Sequence, residues 1–311
     1  MTAEKLKIAI PNTGRMAQET LEWMAQRGVV DAGWAGDAVK AIGVVRKMDS
    51  QAAVIAAVQS YWQAGLSGIA PMYDIRSGWR IGITAAEGKT NGTQAIVYGS
   101  PYPTISGIRE GLADAAVIGL DDLFAAMVPY LARGKRLTCW GRLNRTIWPQ
   151  NSTDVRVAGS TGTQDYAGIC LLSPINNGDA RRKLSGLKEG KIPVYVKGRN
   201  QGLAYYLLGS KVDARPTEEI EDTIVAEKCF GFDVVRTGRT AVEKGLYVLP
   251  PRMLTFSVVA VDMAKYSANE NLKAVIQSMK LVTDPRRDYV EGAKGWQDSV
   301  SRTLGKLWVG K

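Results

Sequence analysis

The sequence predicts an α/β fold in two lobes, and three observations carry that expectation. Short apolar runs of strand length alternate with helix-spaced segments along most of the chain, the pattern of parallel or mixed sheets with helices on both faces. The strand-forming runs fall into two groups on either side of a charged connector at residues 131–150. With 311 residues and 45% hydrophobic composition, the chain also has apolar material for more than one core.

In order, Lys7–Ile10 reads as a strand, 11–15 as a loop, and Met16–Arg27 as a helix with Leu21, Met24 and Ala25 on one face, ended by Gly28. Segments 37–45 and 51–63 read as helices and 65–70 as a loop; Trp34, Tyr61, Trp62 and Tyr73 give this part aromatic weight suited to a core or an interface. Segments 80–85 and 95–98 read as a hairpin, 105–111 as a short helix, 113–119 as a buried strand and 120–127 as a helix. Beyond the connector, 154–158, 166–172 and 191–196 read as strands, 176–185 as a polar stretch, and 201–208 and 218–228 as helices. Strands at 232–235 and 254–261 follow, then a helix at 269–279 and an amphipathic tail at 286–308. The two groups of strands, before and after the connector, are expected to form the two lobes.

Composition narrows the chemistry. The net charge of +10 favours anionic partners, and its scattered basic residues suit phosphorylated small molecules better than nucleic acid. No apolar run approaches the roughly 20 residues of a membrane span, and the N-terminus lacks a signal-peptide pattern, so no membrane is expected and the cytoplasm is the default. Cys139, Cys170 and Cys229 form no paired motif and read as buried thiols. The absence of histidine excludes Ser-His-Asp and Cys-His nucleophiles, histidine zinc sites and histidine general bases.

The most informative stretch is FDVVRTGRTAVEKGL at 232–246. A strand runs into a polar loop and then a helix start, an arrangement that presents several backbone N–H groups together and cradles phosphate. Gly238 permits close approach, Thr237 and Thr240 add hydroxyls, and Arg236 and Arg239 offer charge-assisted bonds. Asp233 suits sugar hydroxyls or a magnesium ion. The same spacing also fits an ordinary strand–turn–helix with a threonine N-cap. A second strand-to-helix turn, Asn12-Thr13-Gly14-Arg15, is a second anion-site candidate or a plain turn with a solvated arginine.

Three stretches together resemble the ATP phosphoribosyltransferase family: KIAIPNTGRMAQETLEWMAQRG, IREGLADAAVIGLDDL and FDVVRTGRTAVEKGL, which run in the family's order. The resemblance implies a two-lobed α/β fold of the periplasmic-binding-protein type II kind, with mixed sheets and helices on both faces: residues 1–160 with 246–311, including an insertion at about 31–75 and a C-terminal tail, form one lobe and residues 161–245 the other. It implies transfer of the 5-phosphoribosyl group of phosphoribosyl diphosphate, with Mg²⁺, to a ring nitrogen of ATP. In that reading Arg236, Thr237, Gly238, Arg239, Thr240 and Ala241 hold the 5-phosphate. Asp233 and Glu221 face the ribose hydroxyls, with Asp233 the candidate metal ligand, and Arg15 completes the catalytic set. Asn12, Thr13, Gly14 and Asp121 fall on the acceptor or diphosphate side, and a homo-oligomer, dimer or higher, is implied.

The chain departs from that pattern where Asn12 stands in place of a lysine, where GSPYPTISG replaces a charged segment, at the 31–75 insertion and in its final 50 or so residues. These departures leave two alternatives beside ATP as acceptor: the same donor with another nitrogenous or aromatic ring, or a non-catalytic binding or regulatory subunit.

Overall fold

The computed structural model describes residues 5–43, 48, 50–74, 78–90, 93–100, 107–108, 111–131, 155–162, 166–185, 191–209 and 212–308. Most of the connector, most of the 105–111 helix and Cys139 lie outside them. Two compact units share the chain, each formed from discontinuous segments.

Unit 1 comprises Met1–Ile118, Cys139–Thr163 and Ser257–Pro285. It opens with β1 (Leu6–Pro11), α1 (Gly14–Gln26), α2 (Ala32–Ile42) and α3 (Gln51–Gln63). Strands β2 (Ile69–Asp74), β3 (Gly78–Ile83), β4 (Ala85–Thr90), β5 (Thr93–Ser100) and β6 (Ala115–Gly119) follow. Helix α4 (Leu120–Leu131) comes next in the chain, and unit 1 resumes with β7 (Val155–Ser160). Its sheet runs β4-β5-β1-β6-β14-β7, with β1 parallel to both β5 and β6, where β14 is Ser257–Asp262. Helices α9 (Met263–Ala268) and α10 (Glu270–Ser278) close the unit.

The aliphatic side chains of β1 and β6 are buried with Leu21, Met24, Val54, Val58, Leu272 and Ile276 from the helices, one continuous apolar cluster. Serine, aspartate and asparagine begin the helices as the local chemistry dictates: Ser50 caps α3, Asp31 caps α2, Asp262 caps α9 and Asn269 caps α10, each accepting from backbone N–H.

Unit 2 comprises Gly119–Thr138, Gln164–Phe256 and Arg286–Lys311. After α4 it contains β8 (Ala167–Ser173), α5 (Asn177–Ser185), β9 (Ile192–Val196), α6 (Gln201–Leu208) and β10 (Val212–Pro216). These lead into α7 (Ile220–Glu227), β11 (Phe230–Val235), the short α8 (Arg239–Glu243), β12 (Tyr247–Val248) and β13 (Met253–Thr255). Helix α11 (Pro285–Trp308) ends it. The sheet runs β10-β9-β11-β8-β12, with β13 also on β8; β9 is parallel to β10 and β11, and β11 is antiparallel to β8.

The two sheets share one logic. In unit 1, β1 lies between its parallel neighbours β5 and β6, with β14 beyond β6; in unit 2, β9 lies between its parallel neighbours β10 and β11, with β8, the strand that opens the unit, beyond β11. This repeated order is the two-lobed periplasmic-binding-protein type II arrangement, and the mixed α/β class follows from it.

Several local expectations change. Residues 80–83 pair with Ile69–Ala70 and their neighbours, and the second hairpin joins β4 to β5. Gly65, Gly68 and Pro71 made the start of β2 read as loop, so the partner of β3 was hidden. The polar stretch 176–185 is largely helical, because Asn176 accepts from the Asp179 N–H at its start. Helix α11 belongs to unit 2 and not to the first lobe: Trp296 and Val300 are buried in that unit's core with Cys170, Leu172 and Leu254. Residues 246–256 also fall in unit 2, since β12 and β13 pair with β8.

Candidate functional site

In unit 2 the candidate loop leaves the end of β11. Gly231 lets α7 lie close on this strand, because a Cβ there would sit 2.2 Å from Ile224 Cδ1 and 2.7 Å from Ile220 Cγ2. The strand's last carbonyl, that of Val235, accepts a hydrogen bond of 2.7 Å from the buried Trp296 indole on α11. The loop therefore starts from a pinned point. It turns at Gly238, whose φ of +70° is in the left-handed region that favours glycine, and enters α8. Gly238, and not a threonine, occupies the N-cap position.

The loop's donors fall on the first turn of α8. The N–H groups of Thr240 and Ala241 precede any acceptor the helix itself supplies. Thr237 Oγ1 accepts from the Arg239 N–H at 3.4 Å, which leaves its hydroxyl proton able to donate elsewhere. Thr240 is exposed and Ala241 buried. Arg239 turns along the helix to Glu243, at 2.8 Å, with its side chain 73% exposed. That carboxylate raises the guanidinium pKa above its usual value. Arg236 is half-buried beside the loop. Lys244 pairs with Asp222 and so ties α8 to α7, next to Glu221, whose negative charge helps raise the Lys244 pKa after the larger effect of Asp222.

Asp233 lies within β11 and is buried, and its Oδ2 accepts from Lys197 Nζ at 2.8 Å. Lys197 follows β9 and begins the turn Lys197-Gly198-Arg199-Asn200 that leads into α6. Asn200 is almost fully buried, and among the described residues neither its amide oxygen nor its amide nitrogen has a hydrogen-bond partner. Sequence reasoning missed Lys197 and Asn200, although a strand, a glycine and a helix start in succession repeat the signal seen at Asn12–Arg15.

Asp121 sits in the first turn of α4 and is locked to Thr255: its N–H donates to Thr255 Oγ1 at 3.0 Å and its Oδ1 accepts from that hydroxyl at 2.6 Å. This pair braces α4 against β13.

The donor set at Asp233 is one carboxylate already bonded to an ammonium group, and the described residues contain no cluster of three or more metal-ligating side chains. It does not fit a resident magnesium site built by the protein alone.

The other candidates lie in unit 1. Thr13 precedes α1 in an extended conformation and gives no side-chain cap, and Gly14 opens the helix with φ +75°. Asn12 Nδ2 donates to Met72 Sδ at 2.9 Å. Arg15 is half-exposed and pairs with Glu19 one turn along. Beside this turn, β3 brings Arg80, a buried residue that sequence reasoning also missed; its only signal was one cation inside the apolar run GWRIGI.

Neither a family model nor a curated protein sequence matches the chain. Among solved structures, an ATP phosphoribosyl transferase (HisG:HisZ) complex from Thermotoga maritima is similar over 91% of this chain and 98% of that one, at 15% identity and a TM-score of 0.47. The GluR0 ligand-binding core in complex with L-glutamate is similar over 95% and 99%, at 12% identity and 0.37. An ABC transporter periplasmic substrate-binding protein from Coxiella burnetii covers 94% and 98%, at 11% identity and 0.35. At these values the likenesses bear on neither ligand nor activity. No helix among the described residues is long and apolar enough to cross a membrane.

Proposed function

We propose that the chain is a phosphoribosyltransferase that moves the 5-phosphoribosyl group of phosphoribosyl diphosphate to a ring nitrogen of ATP. The nitrogen lone pair forms a bond to ribose C1 as the C1–O bond to diphosphate breaks, and diphosphate leaves as the anion. The observation that carries the reading is the 236–241 loop. It begins at a strand end pinned by Trp296, turns at a left-handed Gly238, and offers first-turn amides with the hydroxyls of Thr237 and Thr240. Such a turn grips a terminal phosphoryl group without needing a strong base, which suits a histidine-free chain.

In this reading Thr237, Gly238, Thr240 and Ala241 hold the 5-phosphate. Asp233, held in place by Lys197, and Glu221 bond the ribose hydroxyls. Magnesium, if required, would be carried by the donor's phosphates rather than by this chain's side chains, and would supply charge neutralisation of the leaving group. Binding and positioning supply most of the rate, with charge stabilisation of the leaving group.

A different acceptor ring is the second reading. It is favoured by Asn12, whose amide is turned to the Met72 thioether and carries no charge toward an ATP phosphate. The test is to incubate the protein with donor, Mg²⁺ and ATP, and separately with a panel of nitrogenous rings, and follow diphosphate release and products by mass spectrometry. Release with ATP supports the first reading, and release only with another ring supports the second. Donor binding without release for any ring would leave a sugar-phosphate-binding module, and no donor binding at all would sink both.

A further inference from the structure

We propose that the outward face of helix α3 is the contact surface of a two-fold dimer, and that α3 of a second copy of this chain covers it, packed antiparallel. The inference goes beyond the phosphoribosyl reading and does not rest on it. It concerns the insertion at about 31–75, outside the three stretches that carry the family resemblance.

Helix α3 is held to unit 1 by a narrow stripe. Val54 and Val58 are buried, and Ala57 and Tyr61 pack partly against the same apolar cluster. These four positions, i, i+3, i+4 and i+7, form one side of a helix. Every other residue of α3 is exposed, and none of them is charged. A surface helix ordinarily carries charge on its outer face, and a helix without a charged face is ordinarily covered on both sides. The lack of charge extends past the helix: residues 50–73 contain no Asp, Glu, Lys or Arg, in a chain that is 23% charged. Apolar side chains stand in its place, with Ile55 37% and Trp62 50% exposed. Trp62 is also fixed, because its indole N–H donates to Ile69 O at 3.1 Å. A side chain already held in position loses little freedom at an interface.

Charge points to a second copy as the occupant. At a net charge of +10, two copies repel one another wherever their basic surfaces meet. A different partner drawn by that charge would be acidic, and would find no cation on this face. The uncharged face is where two like-charged copies can approach without opposing charges.

The order of residues fits a two-fold pair. Opposite the buried stripe run Ala52, Ala56, Gln59 and Gln63, at i, i+4, i+7 and i+11. With the two-fold axis between positions 57 and 58, Ala52 meets the partner's Gln63 and Ala56 meets the partner's Gln59. A small side chain then faces a long one at every step, in the reciprocal manner of an isologous interface. Ile55 and Trp62 share one flank of this seam, and the same axis brings Ile55 of each copy toward Trp62 of the other. The thirteen residues of α3 span about 20 Å, so the contact is small and the dimer should be of about micromolar affinity.

Sedimentation velocity of the full chain, from about 1 to about 200 μM, reads the association. A reversible monomer–dimer equilibrium is expected. Ala56→Glu sets like charges across the axis and should weaken the dimer at least about tenfold. The position is exposed and glutamate is a good helix former, so the variant should fold, as circular dichroism checks. Adding Gln59→Lys to that variant places each glutamate opposite the partner's lysine and should restore association. Val290→Glu, at a 66% exposed position on α11, should leave the equilibrium unchanged.

A chain that stays monomeric throughout overturns the second copy as occupant and leaves the face to another partner. A dimer that survives Ala56→Glu, or that Val290→Glu weakens equally, overturns the assignment because association then lies elsewhere. Weakening that Gln59→Lys does not reverse overturns the antiparallel pairing. Hydrogen exchange of the unsubstituted chain needs no variant: the amides of α3 should gain protection as the dimer forms, and unchanged protection overturns the proposal.

Discussion

Lys197 Nζ lies 2.8 Å from Asp233 Oδ2, and this pair joins the end of β9 to the interior of β11. The two partners are unequally placed: 26% of the lysine side chain is exposed but only 9% of the aspartate's. Removing the lysine strands a buried carboxylate, whereas removing the aspartate leaves an ammonium that reaches water. Lys197→Met should therefore lower stability by about 3 kcal/mol and Asp233→Asn by roughly 1–2 kcal/mol. Urea unfolding checks the order; equal costs would show that the pair is solvated and does not brace the sheet.

The loop makes a separable prediction. Thr240 is exposed and Arg239 already holds Glu243. Thr240→Ala should change stability by no more than about 0.5 kcal/mol. It should weaken binding of ribose 5-phosphate about tenfold, the loss of one hydrogen bond to a charged group. Arg239→Gln should change that affinity less than threefold. Calorimetry with ribose 5-phosphate reads both, and unchanged affinity in Thr240→Ala counts against the loop as a phosphate site.

Much of this architecture was legible along the chain because strand and helix periods are local. The runs at Lys7–Ile10, Gln201–Leu208 and Asn269–Met279 needed no tertiary information. Partner choice is not local, and the sequence of β3 does not say that it pairs with Ile69–Asp74. The same holds for the site. The glycine turns at Gly14 and Gly238 were readable because positive φ has a residue signature. Lys197, Arg80 and Trp296 were not, because each acts on a segment distant in sequence. The uncharged Asn12 made the first turn look poor in cations, while the cation beside it comes from the hairpin.

The thiols should separate by burial. Burial pushes the Cys170 thiol far above its ordinary value, while Cys229 is only half-buried. In a Cys139→Ser background, native protein at pH 8 should expose one reactive thiol to Ellman's reagent, and a second only on unfolding. The sign of the pH effect follows. A thiol with a raised folded pKa contributes fully below the unfolded value of about 8.5, and that contribution is lost as pH rises toward the folded one. Cys170→Val should flatten the loss of stability above about pH 9. Two fast thiols in the native protein would contradict this placement.

Helix α11 ties stability to the phosphate loop through one side chain. Trp296 fills the unit 2 core, and its indole N–H satisfies the Val235 carbonyl one residue before the loop begins. Trp296→Ala should cost about 3–5 kcal/mol, the usual range for an emptied aromatic site. Trp296→Phe keeps most of the apolar volume but leaves a buried carbonyl unpaired, and should cost roughly 1–3 kcal/mol. The phenylalanine variant is the informative one, since enough of it stays folded to measure ligand. If the indole bond fixes where the loop starts, its ribose 5-phosphate affinity should fall severalfold. Affinity equal to that of the unsubstituted protein would mean that Trp296 only fills volume and that the loop is positioned by α7 and α8 alone.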